Sequence, residues 1–350
     1  MLAAVLFLPQ SALALSAKSA CVMDSVSGRM LYAHQPSQRS LIASTTKIMT
    51  ALIVCEQTNV LDRMRIPGEA VGIEGSSMYL REGEILTVQE LLYGLMLSSG
   101  NDAAVALAIY CGGTVEGFVG LMNDKARMLG LKDTHFENPH GLDAPEHYST
   151  AADLAVLAAY AMENPIFRKT VSAKTITVGD RSLRNHNKLL WMIEGADGVK
   201  TGYTRAAGRI LVSSATRNDR RLIAVTMDDP NDWQDHRVLL ENGFSAFQVK
   251  LLIREGDCLG TLEVLGGTAA TVSVFAAEDF CYSVTEEETP LTVLPGPGFV
   301  YAPVAENEAA GFAYVVIGGK AVGKIPVIYG KTVEKVQDKP NSFFGKLFGG

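Results

Sequence analysis

The sequence predicts an α+β domain over residues 20–251 followed by a small β-rich domain over residues 252–335. Three observations carry this. Strand-like runs stand near both ends of the first segment while helical periodicity fills its middle. From 258 to about 335, short β-branched runs alternate with Gly/Pro turns and no helical period appears. The chain has 350 residues, 47% hydrophobic and only 20% charged, enough to bury a substantial core in two domains.

The elements follow in order. Met1 to Ala14 is apolar and closes on Ala12-Leu13-Ala14, the h-region and small-residue cleavage pattern of a secretory leader. Residues 1–19 are therefore read as a signal segment and the chain as exported to the cell envelope, although no positive n-region precedes them. Ser25-Val26-Ser27-Gly28 separates two extended runs and predicts a hairpin. Residues 45–58 carry apolar side chains at helical spacing, with Ser44 at or before the first turn, where a serine commonly serves as a cap. Helices are predicted at 88–97 and 102–110, divided by Ser98-Ser99-Gly100, and again at 115–129, ended by Gly130, and at 151–162. Lys200-Thr201-Gly202-Tyr203 reads as a strand edge, followed by strands at 209–215 and 222–227 and a closing helix at about 233–250. In the last stretch, 270–274 and 291–294 are typical of the short strands expected. Phe343-Phe344-Gly345-Lys346-Leu347-Phe348, within a tail at 336–350, leaves two readings open: contact with a membrane surface, or a frayed apolar end.

Composition narrows the function. A formal charge of −7 without a basic stripe argues against a nucleic-acid partner. The five cysteines have no CxxC spacing and the six histidines no His-x-x-x-His spacing, so neither a metal nor a cofactor is expected. Cys258 and Cys281 are candidates for a disulfide in an exported chain, whereas Cys55 and Cys111 read as buried thiols.

Chemistry concentrates in three strings: Ser44-Thr45-Thr46-Lys47, Ser99-Gly100-Asn101 and Lys200-Thr201-Gly202. A serine hydroxyl needs a base to become a nucleophile, and a lysine three residues later on a helix lies on the same face. Each string also has a structural reading, as a helix cap, a turn and a strand end. His140, in the irregular loop Asn138-Pro139-His140-Gly141-Leu142-Asp143, is either a pin for that loop or a contributor to the cleft.

Taken with Gly75-Ser76-Ser77, Pro139-His140-Gly141-Leu142-Asp143 and Asp197-Gly198-Val199-Lys200-Thr201-Gly202-Tyr203-Thr204, these strings resemble the serine-type D-alanyl-D-alanine carboxypeptidases among the low-molecular-mass penicillin-binding proteins. The resemblance runs closely over about 20–250. It implies a β-lactamase/D,D-peptidase-like domain, an antiparallel five-stranded sheet flanked by helices, with the site between sheet and helices. It further implies Ser44 as the acylated nucleophile, Lys47 as its base, Ser99 as proton relay and Asn101 as a substrate-amide contact. Lys200, Thr201 and Gly202 would bind the substrate's end, and the backbone N–H groups of Ser44 and Tyr203 would form an oxyanion hole. The implied partners are peptidoglycan stem peptides, with β-lactam antibiotics as covalent inhibitors. One departure stands out: members often carry an arginine ahead of the final helix, where this chain has Asp232-Trp233-Gln234-Asp235-His236-Arg237.

Other functions compete. A β-lactamase would share the acylation residues, yet no Glu-x-x-Leu-Asn string supplies a deacylating glutamate. A penicillin-binding sensor would keep the fold and turn over little. A Ser-His-Asp hydrolase using His140 and Asp143 lacks a Gly-x-Ser-x-Gly elbow.

Overall fold

The computed structural model describes residues 15–337, which divide into two compact units after Phe247. In chain order the first unit contains β1 (Ser19–Asp24), β2 (Met30–His34), α1 (Lys47–Gln57), β3 (Arg63–Arg65), β4 (Ile85–Thr87), α2 (Val88–Leu97), α3 (Asn101–Gly112), α4 (Val115–Met128), α5 (Ala151–Glu163), α6 (Pro165–Ser172), β5 (Thr175–Val178), β6 (Arg181–Arg184), α7 (Leu189–Met192), β7 (Ala196–Thr204), β8 (Gly208–Arg217), β9 (Arg220–Met227) and α8 (Asp232–Ala246). Five of these strands form one antiparallel sheet in the order β2-β1-β9-β8-β7.

Alternation along the central strands explains the layering. Ile223, Val225 and Met227 of β9 pack with the helical layer, while Leu222 and Ala224 join Leu239 and Leu240 of α8 on the other face. Side chains of period two thus give the sheet two covered faces. Helix α1 is buried at every residue from Lys47 to Cys55, as expected of a helix apolar all round that runs through a core. Local signals fix the helix starts: Thr87 and Glu90 form a reciprocal capping box on α2, and Asn164 caps α6 with Pro165 at its first position.

The second unit is all β, with β10 (Gln248–Ile253), β11 (Cys258–Leu265), β12 (Thr271–Ala276), β13 (Phe280–Val284), β14 (Leu291–Val293), β15 (Phe299–Tyr301), β16 (Ala309–Ile317) and β17 (Lys320–Tyr329). Six strands form a sheet in the order β14-β16-β17-β12-β11-β15, and β10 pairs separately with β13. Val264, Val272, Val274 and Val333 are buried at its centre.

The hairpin, the helices at 88–97, 102–110, 115–129 and 151–162, and the two long strands all appear within a few residues of expectation. Several expectations need correction. The closing helix stops at Ala246, because Gln248–Ile253 is a strand paired with Phe280–Val284. Residues 15–19, assigned to the leader, belong to the fold: Ser19 opens β1, and Ser16 donates from its backbone to Asp235 and from Oγ to Asp229. Cys258 and Cys281 are free and exposed, on strands of different sheets. Met1 to Ala14 and the aromatic tail lie outside the described residues. Among the described residues no single helix is long and apolar enough to cross a membrane.

Candidate active site

Ser44 sits in a short 3-10 turn, Ala43–Thr46, that leads directly into α1. It makes no capping hydrogen bond, so the plain cap reading fails. Its partner is Lys47, one turn on, whose Nζ stands 3.0 Å from Ser44 Oγ. The same Nζ reaches Asn101 Oδ1 at 2.7 Å and the His140 carbonyl at 2.6 Å. Lys47 is completely buried. Burial first, and then the nearby Lys200, hold its pKa well below the usual lysine range, against a smaller opposing pull from Asp102.

Nζ thus faces three oxygens, to all of which an ammonium could donate. A neutral amine, the form that burial favours, has two N–H donors and one lone pair; with the donors on Asn101 Oδ1 and His140 O, the lone pair would face the Ser44 hydroxyl.

The surroundings hold the turn rigidly. The loop containing His140 crosses the front of α1, where Thr50 Oγ1 donates to Pro139 O at 2.6 Å and Thr46 Oγ1 meets His147 Nε2 at 2.7 Å. Gly141 has φ +91°, and a Cβ there would lie 1.8 Å from the Ala43 carbonyl oxygen. Only glycine lets the loop approach the serine turn so closely. The His140 ring accepts from the Leu142 N–H at 3.2 Å, and burial pushes its pKa down to about 4. His140 therefore pins the loop with its ring and touches Lys47 through its carbonyl. Asp143 accepts from Thr204 rather than from His140, so no Ser-His-Asp relay exists here.

Ser99 occupies the break between α2 and α3, and Asn101 is the first residue of α3. Ser99 takes the left-handed conformation, φ +59°, and is 5% exposed. It lines the cleft with Ser44, although no hydrogen bond joins it to Ser44 or Lys47 among the described residues. Asn101 has both ends of its amide engaged, since Nδ2 donates to the Glu74 carbonyl at 2.5 Å. Asp102 next to it gathers the 77–80 segment, accepting from Ser77 Oγ, Met78 N and Leu80 N.

The opposite wall is β7, the edge of the sheet. Lys200 is 1% exposed, donates to the Thr201 carbonyl at 2.8 Å, and is lowered by burial to about 7. A Cβ on Gly202 would lie 3.3 Å from the Ser44 backbone nitrogen, so β7 passes close against the serine turn. An edge strand keeps alternate N–H groups free of a neighbouring strand. The cleft between these walls has a volume of about 290 Å³. Ser76, His186, Arg209, Asp232 and Trp233 also line it. The last three formed no part of any sequence motif, because strand β8 and the start of α8 bring them together across more than twenty residues.

A family model for D-alanyl-D-alanine carboxypeptidases, peptidase S11, matches residues 8–231, and one for the C-terminal domain of penicillin-binding protein 5 matches residues 247–335. The chain belongs to the D-alanyl-D-alanine carboxypeptidase family. Family members align over most of their length. The D-alanyl-D-alanine carboxypeptidase DacD of Escherichia coli is 35% identical over 349 residues, covering 93% of this chain and 88% of that protein. DacF of Bacillus subtilis is 30% identical over 345 residues, with 93% and 88% covered. The crystal structure of penicillin-binding protein 5 from Haemophilus influenzae superposes with a TM-score of 0.80 at 31% identity, covering 92% of this chain and 98% of that one. The five-stranded sheet with helices and the β-rich second unit are thus the family's architecture.

Proposed function

We propose that the chain is a serine D,D-carboxypeptidase that removes the terminal D-alanine from peptidoglycan stem pentapeptides through an acyl-enzyme on Ser44. The observation that carries this is Lys47, completely buried, held well below the usual lysine range by that burial, and with Nζ 3.0 Å from Ser44 Oγ. Lys47 takes the serine proton as Oγ attacks the carbonyl between the two D-alanines. The N–H groups of Ser44 and Tyr203 receive the developing oxyanion; losing one such donor typically costs about 10²–10³ in rate. Ser99 passes the proton to the departing D-alanine nitrogen, and water then hydrolyses the ester. Lys200 and Thr201, beside Gly202, hold the terminal carboxylate. Asn101 contacts a substrate amide and also fixes Lys47. A β-lactam, whose leaving group stays tethered, acylates the same serine.

The substrate class places the site of action outside the cytoplasm. We propose export through a leader ending by Ala14, since residues 15–19 are part of the fold, and membrane contact through the aromatic tail; fractionation of cells expressing the chain with and without 336–350 tests both.

The decisive experiment measures D-alanine release from a peptide ending in D-alanyl-D-alanine, with Ser44→Ala as control. Multiple turnovers lost in the variant support the reading. A single penicillin adduct without turnover would replace it with the sensor reading.

A further inference from the structure

A peptide that ends in a carboxylate needs a lasting positive charge in the cleft, and Lys200 is a weak source of one. Its Nζ is buried, already donates to the Thr201 carbonyl, and is lowered to about 7. Arg209 is the one lysine or arginine among the residues that line the cleft. A guanidinium stays charged at any working pH and offers a planar fork that matches a carboxylate.

We propose that Arg209 grips the terminal carboxylate of the substrate, with Asp232 and Trp233 holding its guanidinium in place. This rests on the carboxypeptidase reading. Arg209 lies on β8 directly across from Tyr203 of β7, so its side chain emerges beside the strand that carries Thr201. Nε and Nη2 are engaged by Asp232, at 3.1, 2.8 and 2.8 Å. Nη1 has no hydrogen-bond partner among the described residues, and 42% of the Arg209 side chain is exposed while Asp232 is 3% exposed. One edge of the fork is thus anchored in the protein and the other is left for a ligand. The guanidinium also lies 5.7 Å from the centre of the Trp233 ring, which limits its swing.

Asp232 does not cancel the site. It opens the fifteen-residue helix α8 and accepts the Trp233 N–H at 2.8 Å. The positive end of that helix shares its charge, and Arg209 retains an attraction for a second carboxylate. Asp232 is then a positioning residue, and the chain needs no arginine in the segment before α8.

The test uses paired ligands on the full chain. D-alanine or D-alaninamide release is measured from a peptide ending in D-alanyl-D-alanine and from the same peptide with a terminal amide. Acylation rates are measured with benzylpenicillin and its methyl ester. Arg209→Gln, with Asp232→Asn added so that no buried carboxylate is orphaned, is expected to lower kcat/KM for the acid about 10- to 100-fold, mainly through KM. The loss for the amide and the ester stays below about threefold, and Arg209→Lys recovers only part of the loss. Equal losses on acid and neutral ligands, or none on the acid, would overturn the proposal. If the unaltered chain releases no D-alanine, the carboxypeptidase reading fails, and the penicillin pair alone still decides the role of Arg209.

Discussion

Lys200→Met should make the protein more stable while removing its activity. Burial takes the Lys200 ammonium from 10.5 to about 7. At about 1.4 kcal/mol per pH unit, that shift of about 3.5 units is roughly 5 kcal/mol of folding free energy lost wherever both states are protonated. The folded pKa lies below the unfolded one, so between the two the unfolded chain binds more protons and stability rises with pH. The cost is therefore complete below pH 7 and fades between about 7 and 10.5. Methionine keeps a similar length and fills the same apolar space, but loses the hydrogen bond to Thr201, worth about 1 kcal/mol. The variant should gain roughly 3–4 kcal/mol at pH 6 by this balance. Urea unfolding followed by circular dichroism at pH 6, 8 and 9.5 measures it, with the gap between variant and parent closing as pH rises. A variant no more stable than its parent at pH 6, or a gap independent of pH, would refute the reasoning.

Lys47, the proposed base, makes a separate demand. Lys47→Met should slow acylation by fluorescent penicillin about 10²–10⁴-fold, and Lys47→Arg should do no better, because a guanidinium stays protonated; stopped-flow labelling measures both. Gly141→Ala places a methyl against the Ala43 carbonyl at a positive φ, so it should lower stability by about 1–3 kcal/mol and slow acylation together; normal acylation in that variant would show that the loop does not set the serine turn. Thiol titration of the native protein should find Cys258 and Cys281 fast and Cys21 silent until denaturation, since Cys21 is buried and pushed up to about 12; a missing fast pair would mean that the two exposed thiols are oxidised together.

The strings of the candidate site were legible because each is short and local in sequence. Ser44 and Lys47 are neighbours by helical spacing, and Ser99 sits in a break marked by Gly100, with Asn101 opening the next helix. Residues that act through tertiary contact left no such mark. Arg209, Asp232 and Trp233 meet only after β8 and α8 pack, and nothing in Gly208-Arg209-Ile210 separates a cleft residue from an ordinary strand cation. Residues 248–250, which the sequence reading places at the end of a helix because the apolar pattern continues through Phe247, open the strand Gln248–Ile253 instead. Only pairing with Phe280–Val284, in the second unit, decides its form, a case of tertiary context overriding local preference. Sequence supplies the cysteine count but not the pairing: Cys258 and Cys281 are both free and exposed, on strands of different sheets.

Both lysines of the site are buried, and each has its pKa lowered by desolvation. Lys200 also lowers Lys47. A carboxylate arriving near Lys200 favours its charged form, and a charged Lys200 in turn disfavours protonation of Lys47. Where binding adds a proton to Lys200, that new positive charge offsets the pull of the carboxylate on Lys47, the proposed base, and so helps to keep it neutral. A neutral-ended peptide gives no such assistance, even when it fits the cleft. The discrimination expected at Arg209 is therefore joined by a second one, in the acylation step itself, and the two separate by their pH dependence. Arg209 contributes equally at pH 6 and pH 9. The Lys200 contribution is confined to pH above about 7, where Lys200 is neutral in the free enzyme and an arriving carboxylate can draw a proton onto it.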